Sequence, residues 1–176
     1  KYVLGPARDF VSEMGRSLAK ISPKINADPR VNRSIFRPYR DIRFSKDKTP
    51  YKTHLGIFFW EGSRGKMECS GYYFHLEPPT MFLAAGIHCF SPLLLGTYRD
   101  SVVDPEHGAD LIKAIKQVSK LKGYSVGGTH YKKTPRGYDA NDENAAMLLY
   151  NGLYVWTEDE IPSEFYSAQI LDYCMD

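Results

Sequence analysis

The sequence predicts an α+β fold, a mainly antiparallel sheet with helices packed on it. Three observations carry this. Apolar residues recur at helical spacing near the N-terminus, period-two segments joined by short polar turns fill residues 35–88, and mainly helical patterns follow residue 104. At 176 residues the chain reads as a single domain, 1–176, long enough to bury a core without staples.

The first helix is predicted over residues 6–21, where Phe10, Met14, Leu18 and Ile21 share one face. Pro6 suits a first turn and Ser22-Pro23 stops the helix. Residues 22–34 read as a polar loop. From Ile35 the period becomes two. Phe36, Ile42 and Phe44 alternate with Arg37, Tyr39, Asp41 and Arg43, which predicts a strand with one apolar and one charged face. Arg40 falls on the apolar face, where burial would demand a carboxylate partner, and Pro38 marks an edge or a bulge. Residues 45–51 connect to a second strand over 53–60. GYYFHL (71–76) and MFLAAGIH (81–88) are the third and fourth strands, and the four are expected to form an antiparallel meander. A helix over 105–121 has Asp104 as its N-cap, Leu111, Ile112, Ile115 and Val118 on one face, and Lys113, Lys116 and Lys120 on the other. Residues 123–134 read as irregular chain or a short strand, 140–151 as a helix and 153–156 as a short strand. A last helix is predicted over 163–173, with Ser163 as N-cap and Phe165, Ile170 and Tyr173 inward.

Composition excludes several classes. Cys69, Cys89 and Cys174 are odd in number, widely spaced and without a C-x-x-C pair, which argues against a disulfide framework or a thiolate zinc site. A reducing, intracellular compartment is therefore expected, cytoplasmic or nuclear. No apolar run approaches the ~18 residues of a membrane helix, so no membrane partner is expected. The chain shows no signal peptide and starts at Lys1, almost inside a helical pattern, so it reads as a fragment lacking an N-terminal helix. Tyrosine is abundant, 13 against 9 phenylalanines. Such residues either line a polar groove or occupy half-buried sheet positions.

The net charge of +2 hides a strong segregation. Residues 30–52 carry Arg30, Arg33, Arg37, Arg40, Arg43, Lys46, Lys48 and Lys52 against only Asp41 and Asp47. Residues 113–136 carry seven Lys/Arg and no acid, and residues 139–176 carry nine Asp/Glu and no Lys/Arg. Either these segments neutralise one another on the folded surface, or they form an anion-binding surface beside an acidic one.

The stretches IFRPYRDIRFSKDKTPYKTHLG, GYYFHLEP, FLAAG and KKTPRGYD occur in this order and carry a resemblance. Together they resemble the family known as domain of unknown function 2461, conserved hypothetical proteins of bacteria and fungi, over roughly residues 8–173. The resemblance implies no established activity. It implies a further N-terminal helix, absent here, and a hydrophobic residue where this chain has Pro38, so the strand edge is expected to be distorted.

Arginine is a planar fork of donors suited to phosphate or carboxylate. Period-two spacing sets Arg37 and Arg43 on one face with Tyr39 and Asp41, and Asp41 is placed to hold an arginine in position. Ser45, Lys46 and Lys48 lie in the loop, and Tyr51 and Lys52 lead into the next strand. With Arg40 these residues are the candidate ligand-binding set. Lys132, Lys133 and Arg136 join them as a second basic loop suggested by the resemblance; a solvated turn is the alternative. His75 and Glu77 are two apart on one strand, the candidates for acid–base chemistry or for two metal ligands, with His54 and His88 on flanking strands. No H-x-H or H-E-x-x-H spacing supports a metal, so neither a metal nor another cofactor is expected. No Walker loop occurs either. The expected function is anion binding, foremost of nucleic acid or another phosphate ligand. The alternatives are an enzyme acting on a phosphorylated or carboxylated small molecule, and a protein-interaction domain.

Overall fold

A computed structural model describes residues 2–175. The helices are α1 (Leu4–Ile21), α2 (Pro92–Val103), α3 (Pro105–Val118) and α4 (Ile170–Tyr173). The strands are β1 (Ile25–Asn26), β2 (Leu55–Glu61), β3 (Gly71–Glu77), β4 (Thr80–Ile87), β5 (Ser125–Thr129) and β6 (Tyr150–Glu160). They form an antiparallel sheet in the order β1-β2-β3-β4-β6-β5, so the architecture is α+β as predicted. The chain divides into two compact units, residues 1–84 with 158–176, and residues 85–157. No helix among the described residues is long and apolar enough to cross a membrane.

In the first unit, α1 presents Ala7, Val11, Met14 and Leu18 to Ile35, Ile57, Phe59, Phe74, Met81 and Ile170, and this is the core. Helical spacing supplies one half and strand alternation the other. Ile21, expected on the same face, is exposed because the helix ends there at Ser22. The loop expected over 22–34 contains β1, fastened by Asn26, whose Nδ2 donates to the carbonyls of Trp60 at 3.1 Å and Gly62 at 2.7 Å. Pairing of β2 with β3 sets Leu55 opposite Leu76, Ile57 opposite Phe74 and Phe59 opposite Tyr72. Ile57, Phe59 and Phe74 therefore face α1, and Gly56, Phe58, Tyr73, His75 and Glu77 face the other way.

The segment expected to be a strand over 35–44 is not one. It touches its neighbour at two isolated antiparallel bridges, Ile35 to Ile57 and Tyr39 to Tyr51. Pro38 and Pro50 remove two ladder donors between them. Ile35 is buried, but Phe44, assigned to the apolar face, is 94% exposed. The meander is thus β2-β3-β4, preceded by an irregular hairpin.

In the second unit, Val102, Met147 and Leu148 are buried, with Tyr98, Leu111, Ile112 and Ile115 packed against them. Asp104 ends α2 and caps α3, accepting from the backbone N–H groups of Glu106 at 3.0 Å and His107 at 2.9 Å. Helix α2 went unpredicted, although Ser91 as N-cap and Pro92 at the first turn are its start signal. The helix expected over 140–151 reduces to a single 3-10 segment, Ala145–Leu149. Asp139 and Asp142 each accept from a backbone N–H two residues on, and these Asx turns compete with a helix. The last helix is likewise split. Ser163–Tyr166 is 3-10, Ser167 is extended, and only Ile170–Tyr173 is α-helical.

Gly15 lets α1 approach residue 27 closely: a Cβ added there would lie 2.3 Å from the Ala27 Cβ. Gly15→Ala gains about 1 kcal/mol of helix propensity. The collision costs about 1–3 kcal/mol. A net loss of stability is expected in urea unfolding, and the further substitution Ala27→Gly should restore most of it. Additive effects of the two changes would contradict this packing account.

Candidate functional site

The hairpin over residues 36–52 is held at its foot by backbone bonds. Phe36 N–H donates to the Gly56 carbonyl at 2.9 Å, Lys52 N–H to Pro38 at 2.8 Å and Arg40 N–H to Pro50 at 3.0 Å. Beneath it the Phe36 ring meets Tyr73 edge-on at 5.9 Å, and the Lys66 ammonium lies 4.1 Å from the Phe36 ring centre. The Tyr39 and Tyr51 rings pack against each other at 5.0 Å across their bridge.

Three aspartates fix half of the basic side chains. Asp28 pairs with Arg30 and Arg33. Asp41 takes Arg43 in a two-pronged grip, Nε to Oδ1 at 2.9 Å and Nη2 to Oδ2 at 2.6 Å. Asp47 pairs with Arg40 and also accepts from the Thr49 hydroxyl and backbone N–H. Arg40 therefore has the carboxylate expected of it, but its side chain is 32% exposed rather than buried. Lys48 Nζ donates to the Ile42 carbonyl at 3.0 Å. Arg37, Lys46 and Lys52 form no ion pair among the described residues. Ser45 sits half-buried in the hairpin loop. Lys132, Lys133 and Arg136 lie exposed on a loop of the second unit. There Arg99, which sequence reasoning missed, places its guanidinium 4.8 Å from the Tyr131 ring centre.

On the sheet face turned away from α1, His75 joins a chain of contacts. Its Nδ1 lies 2.9 Å from the Tyr73 hydroxyl and its Nε2 lies 3.5 Å from Glu77 Oε2. The Thr53 hydroxyl donates to the other oxygen of Glu77. The His54 ring stacks on His75 at 4.5 Å with 28° between planes. One imidazole nitrogen of each histidine and a Glu77 oxygen lie within 4.8 Å of one another. Gly56, opposite His75, makes this possible, because a Cβ there would lie 2.8 Å from the Tyr73 hydroxyl. Thr53's hydroxyl, with help from His75, lowers the Glu77 pKa. Burial, then His75, lowers that of His54. His88 is not part of the cluster; it belongs to the second unit, with its ring against Tyr154. Sequence spacing along one strand revealed His75 and Glu77, but His54 enters only through the β2–β3 register, standing immediately before Leu55, whose partner Leu76 immediately precedes Glu77.

Asp28, which precedes the hairpin, and the hairpin's Asp41 and Asp47 carry a pH signature. The Arg30 guanidinium holds Asp28 at about 2, below its ordinary 3.8. Arg43 lowers Asp41, and Thr49, with help from Arg40, lowers Asp47. A carboxylate held low in the folded state stabilises it above its unfolded pKa and loses that contribution as pH falls through the folded value. For Asp28 that window runs from about 4 down to about 2. A carboxyl-carbon NMR titration should give Asp28 a midpoint near the lower end, moving back towards the ordinary value in Arg30→Gln. An unchanged midpoint in that variant would remove the guanidinium as the cause.

The motifs quoted from the hairpin, β3, β4 and the 132–139 loop span residues 35–139. A family model described as "Conserved hypothetical protein (DUF2461)" matches residues 1–176. No curated protein and no solved structure matches. With its entire length covered by that model, the chain belongs to the DUF2461 family of conserved hypothetical proteins.

Proposed function

We propose that the protein binds anionic polymers, foremost single-stranded nucleic acid, through the hairpin over residues 36–52. One observation carries this reading: exposed aromatic rings alternate there with cations that no carboxylate engages. Phe44 is 94% exposed, Tyr39 52% and Tyr51 54%. Arg37, Lys46, Lys48 and Lys52 stand among them, with Arg40 and Arg43 preset by Asp47 and Asp41. Every base has a face that stacks on an aromatic ring, whereas a duplex keeps its bases stacked on one another. Cations beside the rings follow the phosphates. This combination favours an unpaired strand over a duplex.

A second reading, an enzyme acting on a small phosphorylated or carboxylated molecule, draws support from the His75–Glu77 contact. The two readings separate in one experiment. Fluorescence anisotropy with labelled single- and double-stranded oligonucleotides at several salt concentrations is run beside a thermal-shift panel of nucleotides and sugar phosphates. With about four phosphates neutralised, log K should fall against log salt with a slope near −3 on single strands. Tyr51→Ala should weaken binding by about 5- to 150-fold, the range of one lost base stack. Asp47→Asn should strengthen it, because Arg40 is released and a negative charge is removed. Absence of oligonucleotide binding at low salt, with a sharp thermal shift from one small anion, would transfer the assignment to the enzyme reading.

A further inference from the structure

We propose that His54, His75 and Glu77 bind a divalent first-row transition-metal ion of the zinc type. The site is separate in its residues from the hairpin proposed to bind polyanions, and neither proposal needs the other. Two imidazoles and a carboxylate are a donor set that such ions take readily. Donors on one tetrahedral ion, each about 2.0–2.2 Å from it, stand about 3.4 Å apart. His75 Nε2 and Glu77 Oε2 are 3.5 Å apart. One nitrogen of His54, one of His75 and one oxygen of Glu77 lie within 4.8 Å of one another, so that set has to contract by at most about 1.4 Å.

The surroundings match the outer contacts that orient metal ligands. A ligating histidine binds through one nitrogen while its other nitrogen is held by a neighbouring group. Here the Tyr73 hydroxyl holds His75 Nδ1 and leaves Nε2 facing Glu77. A ligating carboxylate is itself hydrogen-bonded, and Thr53 supplies that bond to the second oxygen of Glu77. A plain lattice of hydrogen bonds across the strands accounts for Tyr73, His75 and Glu77. It leaves His54 unexplained, because the ring of this half-buried residue forms no hydrogen bond among the described residues. Its stacking on His75 brings a second imidazole nitrogen to the same carboxylate. Three protein donors leave a position for water or a ligand oxygen, which is the arrangement of catalytic rather than structural zinc.

The test is calorimetric titration of chelator-treated protein with zinc, with cobalt as a second probe read by its visible absorption band. One equivalent should bind. His54→Ala, His75→Ala and Glu77→Gln should each weaken binding by at least about 10-fold, and Tyr73→Phe by about 10- to 100-fold. His88→Ala and His107→Ala should change nothing; His107 pairs with Asp104 on an exposed helix start and controls for casual surface binding. Circular dichroism melting verifies the fold of each variant. Glu77→Gln, which keeps the size of the side chain, decides the case if a histidine variant unfolds. Zinc binding no tighter to the wild type than to Glu77→Gln, or lost in His107→Ala instead, would overturn the assignment.

Discussion

The register of β2 against β3 is the constraint on which the rest of the first unit depends. Side chains alternate across a strand, so a slip of β2 by one residue would send Ile57 and Phe59 to the outer face and bring Gly56 and Phe58 beneath α1. The cost of exposing two large apolar side chains is several kcal/mol, at about 1.5–3 kcal/mol each. That penalty locks the register from the inner face. It thereby places a histidine and a glutamate of β3 on the outer face beside the residue that precedes β2. The polar cluster is positioned by apolar residues that it never touches.

The hairpin shows how far charge in a sequence differs from charge on a surface. Eight basic residues between 30 and 52, against Asp41 and Asp47, left open whether they form an anion-binding surface or are neutralised in the fold. In the fold, Asp28, just outside that window, engages two arginines, and Asp41 and Asp47 engage one each. These are exposed pairs, and such pairs add little stability and weaken in salt. Their effect is on geometry. The arginines are held in set directions, while Lys46 and Lys52 keep the freedom of long solvated side chains.

Elements governed by a single strong periodicity were legible in the sequence. Helix α1, the strands β2, β3 and β4 and the capped start of α3 follow from spacing and from Asp104. Legibility failed where local side-chain chemistry competes with the pattern. Residues 35–44 alternate like a strand, yet Pro38 and Pro50 interrupt the pairing and Phe44 ends in solvent. Residues 140–151 are rich in alanine and leucine, yet Asp139 and Asp142 turn the backbone, and Tyr150 already belongs to β6. Of the outer-face cluster, His75 and Glu77 could be read from one strand. His54 could not, because its neighbours are set by pairing between strands and not by distance along the chain.

The Tyr73 hydroxyl can lie over residue 56, beside His75, because that residue has no side chain. A Cβ there would meet the Tyr73 hydroxyl at 2.8 Å and the Phe36 ring at 3.3 Å. The position is thus a steric control that carries no charge. One methyl group would press on the tyrosine–histidine contact and on the Phe36 ring at the foot of the hairpin, and it would add no charge. A change at this position therefore acts through packing and leaves the protein's net charge as it was. Chemistry that responds to such a methyl group, with every charge unchanged, depends on the packing over Gly56.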